Sequence, residues 1–162
     1  MSAEAAVIRI EVATIFGFPL RSSFAFITNL MSWSQYWPNF VRIEHDGDPR
    51  WSSPGDRLTV VQRFFGREVA LHLQLEEFRP DFIRYRSRQT GLPELTHERH
   101  FVALADGFEY RLVVAYAPRT GWRGLFDRVI FKRAVERALH ETIDDLWEEF
   151  TSAWCMAPPC RT

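Results

Sequence analysis

The segment from Thr96 to His100 carries the side chains of this chain best suited to chemistry on a small molecule, in the order Thr-His-Glu-Arg-His. Alternate residues of a strand point to the same side, so His97 and Arg99 share one face and Glu98 lies on the other. A guanidinium can hold a carbonyl or enolate oxygen, and an imidazole can transfer a proton near neutral pH. If this pair points into an apolar interior, it predicts an acid–base site. The simpler alternative is that both side chains reach from the strand edge into water.

The turn at Asp106-Gly107 decides which face of this strand points inward. A two-residue type I′ turn there directs His97 and Arg99 into the interior, on the same face as Tyr110. A longer loop with the glycine in a G1 bulge directs the opposite face inward instead. The residues of the turn alone leave both arrangements open.

A second hairpin is predicted from two alternating runs, residues 56–65 and 68–78, separated by Gly66-Arg67. A glycine at the first turn position favours a two-residue type II′ turn. One face of this hairpin is apolar at seven of eight positions, which makes it an inner face. Its members are Leu58, Val60, Gln62, Phe64, Val69, Leu71, Leu73 and Leu75.

A few polar side chains are expected among these apolar inner faces. In a ligand pocket such groups fix the orientation of the ligand, whereas in a packed core tyrosines fill volume with their hydroxyls bonded locally. The candidates are Gln62, Tyr85, Tyr110 and Tyr116.

The order of elements predicts an α+β fold. A strand over residues 7–16 is followed by two short helices, a run of six strands, and a long helix from Gly121 to about Trp154. Strands grouped apart from helices are typical of α+β domains. The long helix carries an apolar stripe that includes Val135 and Leu139, and this stripe must pack on the concave side of a curved antiparallel sheet.

Composition excludes several classes of function. The chain has 162 residues and a net charge of -1, which gives no reason to expect nucleic acid as a partner. Its length suits one domain, predicted over residues 6–155, with loose termini at 1–5 and 156–162. The longest apolar runs are far shorter than the ~18 residues of a membrane span, so we predict no transmembrane segment. The charged first 20 residues do not form a signal peptide, and a cytoplasmic location is the default.

Neither a metal nor a cofactor is predicted. Cys155 and Cys160 are the two cysteines and have no histidines clustered beside them, so a zinc site is rejected, and a disulfide is not expected in a reducing compartment. The sequence has no glycine-rich phosphate loop and no nucleophile elbow. A homodimer is left open.

Several short segments carry a resemblance to a known family. They are Pro19, Phe26-Ile27-Thr28-Asn29, Trp33, Trp37-Pro38, Pro54-Gly55-Asp56, Ala105-Asp106-Gly107 and the closing helix from Gly121 to Phe150. In this order and spacing they resemble the helix-grip fold of the START/birch-pollen-allergen superfamily, including its polyketide cyclase/dehydrase branch. One departure is Phe108, which stands where the family's second-hairpin motif has a threonine.

The resemblance implies a helix-grip fold of about seven strands that encloses a hydrophobic cavity between the sheet and the long helix. It favours the arrangement with His97 and Arg99 inward. We therefore predict binding of a hydrophobic or amphipathic small molecule, such as a lipid, quinone or polyketide, in a cavity of at least ~300 Å³. The residues expected to bind it are Leu58, Val60, Gln62, Phe64, Leu71, Leu73, Tyr85, Leu112, Tyr116, Val135 and Leu139.

The polyketide cyclase/dehydrase branch implies an alternative, a metal-free enzyme in the same cavity. In that hypothesis Arg99 and Tyr110 hold a developing oxyanion and His97 is the acid or base. A carrier needs mostly apolar walls, whereas an enzyme needs convergent polar groups with shifted pKa values.

Overall fold

The structure, a computed structural model, describes residues 6–155. The predicted loose termini, Cys160 and the side chain of Cys155 lie outside this description. The strands are β1 Ile8–Phe16, β2 Phe40–Glu44, β3 Arg57–Phe64, β4 Arg67–Arg79, β5 Phe82–Arg88, β6 Leu95–Leu104 and β7 Gly107–Tyr116. The helices are α1 Leu20–Thr28, α2 Trp33–Tyr36 after a 3₁₀ turn at Leu30–Ser32, α3 Gly121–Phe126, a π-helical segment at Asp127–Phe131, and α4 Lys132–Cys155.

All seven strands form one antiparallel sheet in the order β1-β7-β6-β5-β4-β3-β2. The sheet curves around the carboxy-terminal helix, and the two short helices follow the first strand. The predicted α+β helix-grip fold is confirmed.

The strong curvature of the sheet has a local cause in β4, the longest strand with 13 residues. Its pairing with β5 shifts between Leu75 and Glu77, as in a β-bulge. A bulge bends its strand and increases the local twist, so the sheet wraps towards α4.

Aromatic rings fill the core between the sheet and α4. Phe150 of α4 packs edge-on against Phe16 of β1, with ring centroids 5.1 Å apart. A second cluster at the other end of the helix joins Tyr116, Phe131 and Val135. Between the two clusters the packing leaves a cavity.

The β3–β4 turn differs from its prediction. Phe64 pairs with Arg67, so the turn residues are Phe65 and Gly66, with φ angles of 48° and 75°. Two consecutive positive φ angles define a type I′ turn, and the predicted type II′ turn at Gly66-Arg67 is wrong. The register moves by two residues, and a shift of two keeps every side chain on its predicted face.

Both predicted arrangements of the β6–β7 turn are also wrong in detail. Leu104 pairs with Gly107, so the turn residues are Ala105 and Asp106. The shift again equals two residues relative to the type I′ arrangement. Arg99 and His97 therefore point to the concave side of the sheet, as that arrangement predicted.

The position directly after the β6–β7 turn, Gly107, requires glycine. A Cβ added there would overlap the carbonyl oxygen of Phe16, at the end of the neighbouring strand β1. Its φ of 148° is also one that side-chain-bearing residues rarely adopt. Only glycine lets β1 pair with β7 up to its last residue.

The long helix is interrupted where a continuous α-helix was predicted. The carboxylate of Asp127, fully buried at the start of the π-helical segment, accepts from Arg119, with Nη2 to Oδ1 at 2.6 Å. The Tyr116 hydroxyl donates to the backbone carbonyl of Asp127 at 2.7 Å. Burial alone raises the pKa of Asp127, but the hydrogen bonds and charge of Arg119 outweigh it and lower the pKa. The change in helical hydrogen-bond pattern coincides with this network.

Within residues 6–155, no helix has the length and apolar character needed to cross a membrane. In the same range no three His, Cys, Asp or Glu side chains come together as metal ligands.

Candidate functional site

The centre of the concave face is occupied by a buried arginine, Arg99 of β6, which is 5% exposed. Its Nη1 donates to the Tyr36 hydroxyl at 3.0 Å, and its Nη2 donates to the Tyr85 hydroxyl at 3.4 Å. Its Nε has no hydrogen-bond partner among the described residues. Arg99 therefore keeps a free N–H donor in the interior.

Aromatic rings surround the guanidinium of Arg99 on several sides. The guanidinium carbon lies 6.0 Å from a ring centroid of Trp33 and 5.9 Å from one of Trp37. The rings of Tyr36 and Tyr85 are 5.9 and 5.6 Å away. Cation–π attraction of this kind compensates part of the cost of burying the charge.

No carboxylate in residues 6–155 lies within 4.0 Å of Arg99. Burial raises the pKa of Tyr36 and of Tyr110 in spite of the nearby guanidinium, so both hydroxyls stay protonated at neutral pH. The positive charge is consequently not neutralised within its own pocket. A buried unpaired cation is costly, and an anionic or strongly polarised oxygen of a ligand would compensate it.

Tyr110 lies beside this group on β7. Its ring centroid is 5.0 Å from that of Phe101, the residue directly opposite on β6. The fully buried hydroxyl has no hydrogen-bond partner of good geometry in the described part of the chain, although Arg99 is close enough to act on its pKa. It is a second unused polar group near the guanidinium.

His97 stands one inward position from Arg99 along β6. Its Nε2 is 2.9 Å from the Ser87 hydroxyl of β5, and its ring stacks on Tyr85 with the planes 5° apart. Burial, followed by the charge of Arg99, lowers the pKa of His97 to about 3. The imidazole is therefore neutral at pH 7, and one ring nitrogen can accept a proton.

Arg99 and His97 line a cavity of about 110 Å³ between the sheet and α4. It is smaller than the predicted ~300 Å³. An apolar protein cavity of about 150 Å³ accommodates benzene, so the cavity in this conformation is somewhat smaller than the space that one benzene ring occupies. A larger ligand requires side chains to move.

The structure separates the predicted site residues into two groups. Those on the cavity wall are Gln62, Phe64, Leu71, Leu73, Tyr85, His97, Arg99, Leu112, Val135 and Leu139. Those buried in the core but away from the wall are Leu58, Val60, Tyr110 and Tyr116. Tyr116 is committed elsewhere, because its hydroxyl bonds the backbone of Asp127.

Gln62 and Gln89 add amide groups to the wall. The Gln62 Oε1 accepts from the indole nitrogen of Trp37 at 2.9 Å, which fixes both side chains. Gln89 donates through Nε2 to the Pro93 carbonyl, and its Oε1 has no partner among the described residues. The wall therefore offers an acceptor as well as the Arg99 donor.

The polar wall residues that the sequence analysis did not place in the site include Tyr36, Ser87 and Gln89. Tyr36 lies three positions after Trp33 in a short helix, and that spacing puts both rings on one face. Ser87 shares the inner face of β5 with Tyr85, so alternation was a usable signal. Gln89 follows the end of β5, where no pattern gives its orientation.

No family model and no curated protein matches the chain. Solved structures do match it. The Zhui aromatase/cyclase from Streptomyces sp. R1128 has a TM-score of 0.74 at 12% identity, over 89% of this chain and 93% of that one. The allergen Ara h 8.0201 gives a TM-score of 0.65 at 15% identity, over 91% and 99%. The di-domain aromatase/cyclase BexL from the BE-7585A biosynthetic pathway gives 0.74 at 16% identity, over 98% of this chain and 52% of BexL. At these identities the likeness shows a common fold, and the predicted helix-grip fold is confirmed.

Proposed function

We propose that this protein binds a small, largely apolar molecule with an anionic or strongly polarised oxygen in the cavity beside Arg99. The observation that carries the proposal is the buried guanidinium with an unused N–H and no carboxylate within 4.0 Å among residues 6–155. The apolar wall supplies the affinity for the ring or chain of the ligand. Arg99 and Tyr85 supply the orientation of its oxygen, whereas the Tyr36 hydroxyl already donates to the Ile27 carbonyl at 2.6 Å and holds the guanidinium in place.

Benzoate and benzyl alcohol are matched probes for this proposal, because they share a ring and only benzoate carries an anion. Both are larger than the cavity of about 110 Å³, so binding of either requires wall side chains to move. We expect wild-type protein to bind benzoate more tightly than benzyl alcohol in isothermal titration calorimetry. Arg99→Leu should weaken benzoate binding by about 10- to 100-fold, which is the range expected for hydrogen bonds to a charged group. The affinity for benzyl alcohol should stay within a few-fold.

Arg63→Leu is the matched control, because Arg63 is exposed on the outer face of β3 and does not line the cavity. It should leave both affinities unchanged. Equal loss of benzoate binding in both variants would refute a role for the buried charge. Absence of any binding of either probe to folded wild-type protein would refute the cavity proposal as a whole.

A second candidate, proton transfer next to a carbonyl, is favoured by the neutral His97 beside Arg99. In this reaction a C–H bond next to the carbonyl breaks, and its proton moves to the unprotonated ring nitrogen of His97. The electron pair of that bond forms an enolate, whose oxygen Arg99 holds. The neutral imidazole leaves a ring nitrogen free to take the proton and later return it. Its pKa of about 3 makes it a weak base in the empty site, so the step requires the negative charge that develops on the enolate to stabilise the imidazolium.

Ethyl acetoacetate tests this reaction, because hydrogen–deuterium exchange at its C2 methylene can be followed by NMR. We expect wild-type protein to accelerate the exchange, and Arg99→Leu to lower the acceleration by about 10²–10³-fold, as for loss of one oxyanion donor. His97→Gln should lower it as well. Exchange at the rate of the buffer with wild-type protein would exclude this chemistry on this class of substrate and leave the binding proposal intact.

A further inference from the structure

An exposed surface of apolar and cationic side chains lies where the last helix begins, outside the cavity. Trp122 is 76% exposed, Leu125 is 66% exposed, and Phe65 of the β3–β4 turn is 58% exposed. The Phe65 ring contacts that of Phe126 at a centroid distance of 5.7 Å, which joins the turn to the helix. We define the basic-aromatic patch as Phe65, Trp122, Arg123, Leu125, Arg128, Val129, Ile130 and Arg133.

Phe65 is not the residue that its turn favours. It occupies the first position of a type I′ turn at φ 48°, where asparagine, aspartate and glycine are preferred. A bulky side chain in the left-handed region costs about 1–2 kcal/mol relative to glycine. Its ring, moreover, is largely in water. Contacts with the rings of Phe64 and Phe126 hold Phe65 in place but cover less than half of it, so an apolar surface is left available to another body.

The charges of the patch gain little from the helix. The first turn of α3 has no acidic residue, although the amino-terminal end of a helix favours negative charge, and Arg123 lies in the last turn of a short helix that continues into the π-helical segment instead of ending there. In residues 6–155 no carboxylate lies within 4.0 Å of Arg123, Arg128 or Arg133. Helix stability therefore does not account for these cations, and an anionic surface would complement them.

Between residues 122 and 133, every exposed side chain is either apolar or an arginine. Trp122 also lies beneath the guanidinium of Arg123, at 5.6 Å from ring centroid to guanidinium carbon. Tryptophan, aliphatic side chains and cations are the composition that binds in the headgroup region of an anionic bilayer. A second copy of this chain would bring the same arginines against one another, which disfavours self-association through the patch.

We propose that the basic-aromatic patch docks the protein on the surface of an anionic lipid bilayer, with Phe65, Trp122 and Leu125 inserted at the headgroup level. The patch adjoins the cavity, because the Phe64 ring on the cavity wall lies 4.7 Å from the Phe65 ring and 5.8 Å from Phe131. Passage of a ligand between the bilayer and the cavity rests on the proposed function, whereas docking does not.

Vesicle co-sedimentation tests docking directly, with phosphatidylcholine vesicles compared to vesicles that also contain phosphatidylglycerol. We expect wild-type protein to bind the anionic vesicles preferentially, and to release them when the ionic strength rises from about 0.1 M to about 1 M. The double variant Phe65→Asn/Trp122→Ser should lose at least about tenfold in partition coefficient. Arg123→Gln/Arg128→Gln should lose about 25-fold, at about fivefold for each cation near the membrane.

Two control pairs remove similar side chains elsewhere. Met31→Ser/Ile15→Ser removes apolar residues that are 80% and 62% exposed outside the patch. Arg21→Gln/Arg57→Gln removes exposed cations remote from it in sequence. Both pairs should bind anionic vesicles within about twofold of wild type, apart from a small loss from the changed net charge.

Three outcomes would overturn the proposal: no preference of wild-type protein for anionic vesicles, equal losses in the patch and control pairs, or unchanged binding of the patch variants. Sedimentation velocity without vesicles tests whether a second copy of this chain covers the patch instead. A wild-type dimer that Phe65→Asn/Trp122→Ser converts to monomer, together with absence of vesicle binding, would assign the patch to a second copy. A wild-type monomer that binds no vesicles would exclude both a bilayer and a second copy as occupants and would refute the proposal.

Discussion

Arg99 is stabilised in the interior by rings and hydroxyls, and these groups leave its charge uncompensated. Tyr36 and Tyr85 accept hydrogen bonds from it, and burial raises the pKa of Tyr36, so that hydroxyl carries no negative charge at neutral pH. Hydrogen bonds from neutral groups recover only part of the hydration that a buried ion gives up. An anion that enters the cavity should therefore stabilise the folded state as well as bind to it, since it binds the folded chain alone.

His97 should make the stability depend on pH below neutrality. Its pKa falls from the ordinary value of 6.5 to about 3 in the folded chain, so between these values the unfolded chain binds the proton more strongly. The free energy of unfolding therefore decreases as pH falls through this window, by up to about 1.4 kcal/mol per pH unit. Between pH 7 and pH 5 the loss through His97 should reach about 2 kcal/mol.

His97→Gln isolates this effect, because glutamine keeps a hydrogen bond to Ser87 and does not titrate. Urea unfolding at pH 7 and pH 5 measures the loss for each protein, and the wild type should lose about 2 kcal/mol more than the variant. The other histidines are common to both proteins and cancel. Parallel pH dependences would show that His97 is not held neutral by the fold.

The pairing of His97 with Arg99 was predictable at the residue scale, because strand alternation fixes which neighbours share a face. Their partners were not. Tyr36 is 63 positions from Arg99 in the chain, and its hydroxyl reaches the guanidinium only because α2 lies across the concave face of the sheet. A contact of that kind depends on the angle at which a helix crosses the sheet, which periodicity does not determine.

At the scale of elements, Gly107 links the β6–β7 hairpin to the end of β1. We expect Gly107→Ala to destabilise the protein by about 3 kcal/mol or more, because the added Cβ overlaps the Phe16 carbonyl and the backbone cannot relax without loss of strand pairing. Chemical denaturation measures the change.

Gly47→Ala is the matched control for that substitution. Gly47 also has a positive φ, 82°, but no atom lies within 4 Å of its added Cβ. It should cost about 1 kcal/mol from backbone conformation alone. Equal losses in the two variants would mean that the close approach of β1 has no energetic consequence.

The hairpins show why elements were easier to predict than their turns. Apolar alternation identified the strands and the inner face of both hairpins correctly. The turns failed because Phe65 and Ala105 occupy positions where glycine or asparagine was the expected signal. Both registers differ from the prediction by two residues. The side chains therefore lie on the predicted faces of the strands, but each residue pairs with a different partner from the one predicted.

At the scale of the whole molecule, the cavity of about 110 Å³ represents packing that the fold has left incomplete. Ala138→Leu on α4 should fill part of it, because Ala138 lines the wall. We expect a gain of about 1 kcal/mol in the free energy of unfolding and a loss of benzoate binding. Thermal unfolding and calorimetry measure the two effects.

Ala153→Leu, exposed near the end of the same helix, is the control and should change neither quantity by much. If Ala138→Leu destabilises the protein, the wall is already too rigid to accept three further carbons. Unchanged benzoate binding in that variant would place the ligand elsewhere in the molecule.

The overall architecture was predictable because the order of strands and helices, with one apolar stripe on the last helix, permits few arrangements. The volume of the cavity was not. It depends on how far individual rings, such as Phe64 and Phe131, reach across the lumen. The rotamers of such rings depend on packing in the folded chain, so the periodicity of the sequence does not predict them.

The tryptophans around Arg99 are intrinsic spectroscopic probes of the cavity. The rings of Trp33 and Trp37 are 4.9 Å apart, close enough for their excited states to couple, and Trp51 lies 5.7 Å from Trp33. A guanidinium within about the same distance shifts the energies of these transitions through its field. Neutralising that charge should therefore alter the near-ultraviolet circular dichroism and the emission of the unlabelled protein, so that occupancy of the cavity can be observed without a chromophore on the ligand.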